Sequence, residues 1–425
     1  MDVEVEQMLK ALYGAISEEE GRWLARYRGQ VLRSHFQPIY SFPHRRPVGY
    51  EGLIRVFSES GQPLSPVAAF EQVGNFQEQV MLDRLCRLLH VHNFVAQQVP
   101  DCWLFLNIHP AVFVHASQQA EMLATAVNVV HQLGLPMHRL VFEVTEDVMA
   151  QDQKFEAAVE SARSTGCLLA LDDFGAGHSN FDRVWRIKPE IVKLDRGLLQ
   201  RAMASSRIAR VLTQMVSLLH ECGAVVLLEG VETRDEAHLA LDADVDLVQG
   251  FAFGRPQADL APAGTVSPVL ESIWDMFDER HLAGREAYDE RIAPFRTAMA
   301  LALQPLQQGR SLRDACDALL RLQNTQLCYL LDEHGRELGE RVSPAGAQFP
   351  AELRFAPLDR AGDARWARRP YFRRAIDSVG EVQVTRPYLS LHGARMCITL
   401  SLAFWQDGRL RVLCADVDWG QVDPG

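Results

Sequence analysis

Between residues 31 and 257 the chain repeats one alternation eight times: a short apolar run, then a segment with amphipathic-helix spacing. The runs are "HFQPIY", "VGYEGLIRV", "CWLFLNI", "RLVFEVTE", "CLLALDD", "EIVKLD", "VVLLEG" and "VDLVQGFAF". Among the intervening helical segments, "KFEAAVESARSTG" puts Phe155, Ala158, Val159 and Ala162 on one face and stops at Gly166. Another, "SRIARVLTQMVSLLHECG", ends at the C-cap signal Gly223. Eight strands joined by helical crossovers predict an α/β fold, a TIM-like (β/α)8 barrel over residues 31–260; an open doubly wound sheet is the competing layout.

The flanks follow other rules. Residues 1–30 read as an amphipathic helical extension, with "ISEEE" as a polar helix start before Trp23, Leu24 and Tyr27. Residues 261–310 read as a helical linker that Pro294 and Pro305 are expected to kink or divide. Residues 311–425 read as a smaller α+β domain on an antiparallel sheet, with turns at Glu333-His334-Gly335, His392-Gly393 and Gln406-Asp407-Gly408. A formal net charge of −12 excludes nonspecific binding of DNA or other polyanions, so an anionic substrate needs local cations. No apolar stretch is long enough to span a bilayer and the start lacks a secretory layout, which gives a cytoplasmic expectation. The eight cysteines form no CxxC or Cys/His cluster and are expected to be buried, reduced thiols rather than zinc ligands.

Period-2 counting carries the chemistry. Glu51, Leu53 and Arg55 share one strand face; so do Val141, Glu143 and Thr145, then Leu168, Ala170 and Asp172, and Ile191, Lys193 and Asp195. Val225, Leu227 and Glu229 repeat the pattern, as do Leu247 and Gln249, while Asn107 closes "LFLN". In a barrel these strand-end polar residues face one common mouth, and the apolar residues below them fill the core. Glu51, Asn107, Glu143, Asp172 and Asp173 are all oxygen donors, a set that suits hard cations such as Mg²⁺ or Mn²⁺. Converging carboxylates repel, and a pair of metals would relieve that conflict while serving an in-line phosphoryl displacement. Lys193 would add charge near the water and Arg55 would grip a phosphate. Asp173 is out of phase with Asp172, so it reaches the same mouth only if the chain leaves extended geometry there, which Gly175 and Gly177 permit. "DDFG" also occurs in protein kinases, but an HRD loop and a Gly-rich phosphate loop are missing here.

These residues resemble the EAL-domain family of bacterial cyclic-di-GMP phosphodiesterases. The resemblance rests on "YEGLIRV", "FLNIHP", "FEVTED", "LDDFGAGHSN", "IVKLDRGLL", "LEGVET" and "VQGFAFGRP", in family order over residues 34–257. It implies a first metal site of Glu51, Asn107, Glu143 and Asp172, and a second shared by Asp172 and Asp173, with Glu229 assisting catalysis or metal binding. It implies that Lys193 positions the water, that Gln37, Leu53, Arg55, Asp195, Gln249 and Pro256 contact substrate, and that Glu146 holds the "DDFGAG" loop. Glu51, Lys193 and Glu229 are thereby the catalytic set. The departures are Gly52 for the usual Ala, Ile108-His109 for Leu-Ser, and His178 for Tyr.

The implied activity is metal-dependent hydrolysis of cyclic-di-GMP to linear pGpG by a homodimer inhibited by Ca²⁺; the alternatives are a receptor that binds without turnover and a scaffold that binds no nucleotide. The C-terminal segment resembles PAS-like or Cache-like sensor modules through "RRPYFRRAI", "TRPYLSLHGARMCITLSL" and "VLCADVDW". That implies a small-molecule or protein partner, with Arg369, Tyr371, Arg386, Tyr388 and Asp416 lining a pocket.

Overall fold

The computed structural model describes residues 3–71, 73–145, 153–177, 181–261, 266–346, 364–390 and 396–420. The chain divides into two compact units, residues 1–279 and 280–425. The first opens with a helix, Val3–Ala15, followed by strands β1 (Ile16–Glu19), β2 (Arg22–Tyr27), β3 (Gln30–Ser41), β4 (Arg46–Ser58) and β5 (Pro63–Leu64). Helices then alternate with β6 (Trp103–Asn107), β7 (Leu140–Thr145), β8 (Leu168–Phe174), β9 (Ile191–Leu194), β10 (Val225–Leu228) and β11 (Leu247–Val248). Eight of these close a barrel in the order β3-β11-β10-β9-β8-β7-β6-β4, with β4 returning to β3. All eight apolar runs of the sequence fall on these strands.

The barrel departs from eightfold β/α repetition at its start. β3 runs antiparallel to both β4 and β11, while the other neighbouring pairs are parallel. A short turn between Ser41 and Arg46, rather than a helical crossover, joins β3 to β4, which only an antiparallel pair allows.

Residues 16–19 and 22–27 are strands, so the helical reading of residues 1–30 holds over Val3–Ala15 and is corrected beyond it. The turns Glu20-Gly21 and Arg28-Gly29 each have positive φ at both central positions (52 and 75, 49 and 70), the geometry that two-residue hairpins favour. Pairing of β2 with β3, from Leu24↔Arg33 to Tyr27↔Gln30, then outweighs the helical spacing of Trp23, Leu24 and Tyr27.

One layer of side chains fills the barrel: Ile39, Phe105, Val141, Ala170, Ile191, Leu227 and Leu247, one from each of seven strands. On β4 the level is held by Gly49, where an added Cβ would lie 2.7 Å from the Phe105 ring. A second, outer core packs the helices onto the strands, and takes in Leu270 and Ile273 from the start of the helix Pro268–Gln307. That helix is continuous through Pro294 and Pro305.

In the second unit, β12 (Thr325–Asp332), β13 (Glu337–Val342), β14 (Gln383–Val384), β15 (Tyr388–Leu389), β16 (Met396–Gln406) and β17 (Arg409–Asp418) form an antiparallel sheet ordered β13-β12-β17-β16-β14, with β15 also on β16. Period-2 alternation splits β17 between two cores. Leu413, Ala415 and Val417 pack with Ile292, Phe295 and Met299; Val412 and Cys414 pack with Tyr371, Phe372 and Ala375 of the helix Pro370–Asp377. The eight cysteines are unpaired, seven of them buried. Among the described residues, no helix is long and apolar enough to cross a membrane.

Candidate active site

The mouth follows from the barrel layer by one step of the pleat. Two residues beyond Phe105, Val141, Ala170, Ile191, Leu227 and Leu247 stand Asn107, Glu143, Asp172, Lys193, Glu229 and Gln249, and two beyond Gly49 stands Glu51. Because β3 runs the other way, its mouth residue, Gln37, comes two before Ile39. The geometry thus gathers one polar side chain from each of the eight strands.

Lys193 sits at the centre with only 1% of its surface exposed. Its Nζ lies 2.6 Å from Glu143 Oε1, 2.6 Å from Glu229 Oε1 and 3.1 Å from Asp172 Oδ1. Glu51 takes the other side: Asn107 Nδ2 donates to its Oε1 at 2.8 Å, and Gln249 Nε2 donates to its Oε2 at 2.7 Å. Gln249 Nε2 also reaches Gln37 Oε1 at 3.3 Å, and Gln37 Nε2 donates to the Gly254 carbonyl at 3.2 Å. The two halves meet at the carboxylates.

Asp173 reaches the mouth through the departure from extended geometry that its phase requires. Its φ is +58, and the β8–β9 register slips between Leu171 and Phe174. The bend lies at Asp173 itself and at Gly175 (φ +99); Gly177 has no positive φ. Asp173 N–H donates to Asp172 Oδ1 at 2.9 Å, and oxygens of Asp172, Asp173 and Glu229 all lie within 4.8 Å of one another.

Charge at the mouth is out of balance. Among the described residues, Glu143, Asp172 and Glu229 share the one ammonium of Lys193 with Glu51 close by, and two like charges 4 Å apart repel by about 4 kcal/mol at an effective dielectric near 20. Burial, with Glu51 and Asp172 nearby, pushes the Glu143 carboxyl well above the ordinary range despite Lys193. Burial likewise pushes Glu229 up to about 7. Desolvation works against the Lys193 charge, yet Glu143, Glu229, Glu51 and Asp172 together hold its ammonium well above the usual lysine value. Glu143 Oε1 meets the Lys193 ammonium at 2.6 Å, while its Oε2, equally buried, has no hydrogen-bond partner among the described residues. A buried carboxylate oxygen without a donor, in an all-oxygen donor set, fits a hard divalent cation.

Other sequence-derived residues lie outside this cluster. Arg55 is half-buried on β4, and its Nη1 donates to the Ile54 carbonyl at 3.0 Å. Leu53 pairs across the ribbon with His35, whose Nδ1 lies 3.3 Å from the Pro256 carbonyl. Asp195 caps the helix Arg196–Met203 by accepting from Gly197 N–H at 2.8 Å, a structural duty that strand phase does not foresee. Glu146 and His178 lie outside the described residues.

Sequence reasoning missed the buried His90 beneath Gly52. A Cβ on Gly52 would come within 2.9 Å of the His90 Cγ. The departure from Ala at this position was the available signal. In the second unit, Arg369, Tyr371, Tyr388 and Asp416 line one cavity with Tyr329, Arg341 and Trp366; Arg386, expected there, is exposed and not among its lining residues.

Comparison with known proteins agrees with this geometry. Residues 22–256 match the family model of the EAL domain. The cyclic di-GMP phosphodiesterase RocR of Pseudomonas aeruginosa is 31% identical over 158 residues, 37% of this chain and 39% of RocR. YkuI of Bacillus subtilis, an uncharacterized EAL-domain containing protein, is 24% identical over 358 residues, 80% of this chain and 82% of YkuI. The crystal structure of YkuI with c-di-GMP and calcium matches with a TM-score of 0.78 and 20% identity over 92% of this chain and 97% of that one, a likeness of fold. The aligned regions span 22–39% of the length of the first four curated relatives. With the family match covering more than half of its residues, the chain belongs to the EAL domain family.

Proposed function

We propose that the chain is a metal-dependent phosphodiesterase that hydrolyses one phosphodiester bond of cyclic-di-GMP, giving linear pGpG. The observation that carries this reading is the under-neutralised oxygen cluster around Lys193, with Glu143 Oε2 buried and unmatched among the described residues. The names of RocR and PdeF of Escherichia coli, both cyclic di-GMP phosphodiesterases, support the substrate.

Glu51, Asn107, Glu143 and Asp172 are the residues to hold one divalent cation, and Asp172 with Asp173 a second, Glu229 standing beside them. Bound there, Mg²⁺ or Mn²⁺ supplies Lewis acidity toward a phosphoryl oxygen and lowers the pKa of a water. Lys193 positions the attacking water, its ammonium anchored by Glu143, Glu229 and Asp172. Asn107 and Gln249 fix the Glu51 carboxylate by donating to its two oxygens, which orients it without adding charge. Arg55 offers a planar fork to a phosphate that is not cleaved, and Gln37, Leu53, Gln249 and Pro256 border the dinucleotide. Asp195 contributes through the helix it caps.

The same oxygen set would also hold Ca²⁺, an ion YkuI's structure contains, and Ca²⁺ bound in place of Mg²⁺ or Mn²⁺ would inhibit. The protein works as a cytoplasmic homodimer, and its C-terminal unit is a PAS-like or Cache-like sensor that adjusts hydrolysis on binding a small molecule. Chromatographic product analysis of cyclic-di-GMP incubated with full-length protein and Mg²⁺ or Mn²⁺ tests the reading. The expected product is pGpG; binding without turnover over hours would make the chain a receptor instead.

A further inference from the structure

We propose that Arg33 joins Arg55 as the second arm of a guanidinium clamp that grips the phosphodiester of the bound dinucleotide lying away from the metals. This rests on reading the barrel mouth as a cyclic-di-GMP site.

The clamp follows from the ladder between β3 and β4. Directly opposite residues of an antiparallel pair share a face, and the register sets Gln37 against Glu51, His35 against Leu53 and Arg33 against Arg55, with no slip between Gln30 and Ile39. The two arginines thus stand two rungs farther along the face that carries Gln37 and Glu51 into the mouth. In such a pairing Cβ atoms lie about 4.5–5.5 Å apart, and like charges directly opposite one another are destabilising. An anion held between them would turn that repulsion into attraction.

Among the described residues, neither guanidinium is ion-paired to a carboxylate. Arg33 is exposed, and its guanidinium lies 5.4 Å from the centre of the Phe57 ring, its side chain making no hydrogen bond among the described residues. That stack uses a face of the guanidinium and leaves the N–H edge open. Arg55 spends Nη1 on the Ile54 carbonyl, a neutral partner. Glu51 attracts it from a distance, but both Glu51 oxygens already accept from Asn107 and Gln249.

His35, on the rung between, feels both arginines. Burial first, then the charges of Arg55 and Arg33, push its imidazole below the ordinary value despite the Pro256 carbonyl beside Nδ1. The fields of the two guanidinium groups therefore overlap on one spot, and the neutral imidazole adds no third charge.

The anion this pair fits is a phosphate, whose oxygens match the planar donor fork of arginine. Lys193 and the metal-holding carboxylates serve the phosphate that is cut. A cyclic dinucleotide has a second phosphodiester, which hydrolysis of the first leaves intact, so the clamp holds substrate and linear product alike.

Titration calorimetry of the metal-free full chain, and steady-state hydrolysis with Mn²⁺, test the clamp. Arg33→Gln should weaken cyclic-di-GMP and pGpG binding by about tenfold each, one charge-assisted hydrogen bond being worth that much. KM should rise by about the same factor while kcat changes far less, because the grip is equal in the ground and transition states. Arg33→Lys, which keeps the charge without the fork, should recover part of the loss. The loss should also shrink in roughly 1 M salt, where the Debye length is about 3 Å. Unchanged affinity and KM in Arg33→Gln overturn the proposal, as does a loss that salt leaves intact, the mark of a contact with the neutral N7 and O6 edge of guanine. A purely structural Arg33 would instead lower the melting temperature of the ligand-free chain; removing one of two opposed cations should leave it unchanged or raise it. Binding that depends on Arg33 without turnover in the wild type refutes the phosphodiesterase alone, and turnover indifferent to Arg33→Gln refutes the clamp alone.

Discussion

Replacing Gly52 by alanine restores the residue usual in the EAL signature, yet in this chain it should do damage. The added Cβ would lie 2.9 Å from His90 Cγ and 3.2 Å from both Cδ2 and Nδ1. The ring has little room to retreat: His90 is 4% exposed, its Nδ1 is 2.9 Å from Ser34 Oγ, and Phe36 packs edge-on against it. Burial first, then the charge of Arg55, pushes the His90 pKa down to about 3, so the imidazole is neutral and cannot escape by charging. Overpacking of this kind costs about 1–3 kcal/mol, and Gly52→Ala should destabilise the barrel by that amount. His90→Ala removes the obstacle but leaves a cavity and takes one partner from the Ser34 hydroxyl, which keeps Asn93 Nδ2 at 3.3 Å, for a loss of about 2–4 kcal/mol. The double variant should then be less destabilised than the sum of the singles by about 1 kcal/mol or more, because the alanine Cβ enters vacated space. Urea unfolding followed by tryptophan fluorescence reads all four corners of the cycle. Unchanged stability for Gly52→Ala, or strict additivity in the double variant, would refute the steric argument.

Glu51→Ala should abolish cyclic-di-GMP hydrolysis while calorimetry still detects substrate, because Asn107 and Gln249 lose their shared acceptor but Arg55 remains. Lys193→Met should lower turnover by about 10²–10⁴ fold in a single-turnover assay with Mn²⁺. It should also leave the apo barrel several kcal/mol less stable, since Glu143, Asp172 and Glu229 lose their common cation. In the second unit, burial raises the Asp416 carboxyl from 3.8 to about 6, so the folded state holds a proton that the unfolded state has released. The contribution of this group to stability should therefore be greatest below about pH 4 and fall by roughly 3 kcal/mol as pH rises to about 6, at 1.36 kcal/mol for each pH step between the two values. Asp416→Asn should flatten that slope in denaturation curves taken between pH 4 and 7.

Much of the site is readable in the sequence because period-2 phase is local. Once Ala170 and Ile191 are placed in the core, Asp172 and Lys193 must face the mouth, and runs this short and apolar leave little ambiguity between strand and helix. Gln37 is less accessible to that logic, since on an antiparallel strand the mouth residue precedes its core partner. The N-terminal hairpin escapes for a different reason: the spacing of Trp23, Leu24 and Tyr27 suits a helix, and only the two X-Gly turns point the other way. Asp195 has the right phase but a helix starts immediately after it, so capping takes its side chain. In the C-terminal cavity, Trp366 and Arg341 come from segments far from Asp416 in sequence, and only folding brings them together.

The reversed strand β3 has one more effect. It carries both the outer edge that pairs with β2, at Val31 and Leu32, and, a few residues on, the Gln37 amide that meets Gln249 beside Glu51. Residues on a strand change face with every step, so a one-residue slip against β2 or β4 would swing Gln37 out of the mouth and leave Ser34, the hydroxyl partner of His90, on the wrong side. The N-terminal hairpin therefore serves as a register lock, an alignment pin seated at one end of a strand whose other end completes the ring of polar groups.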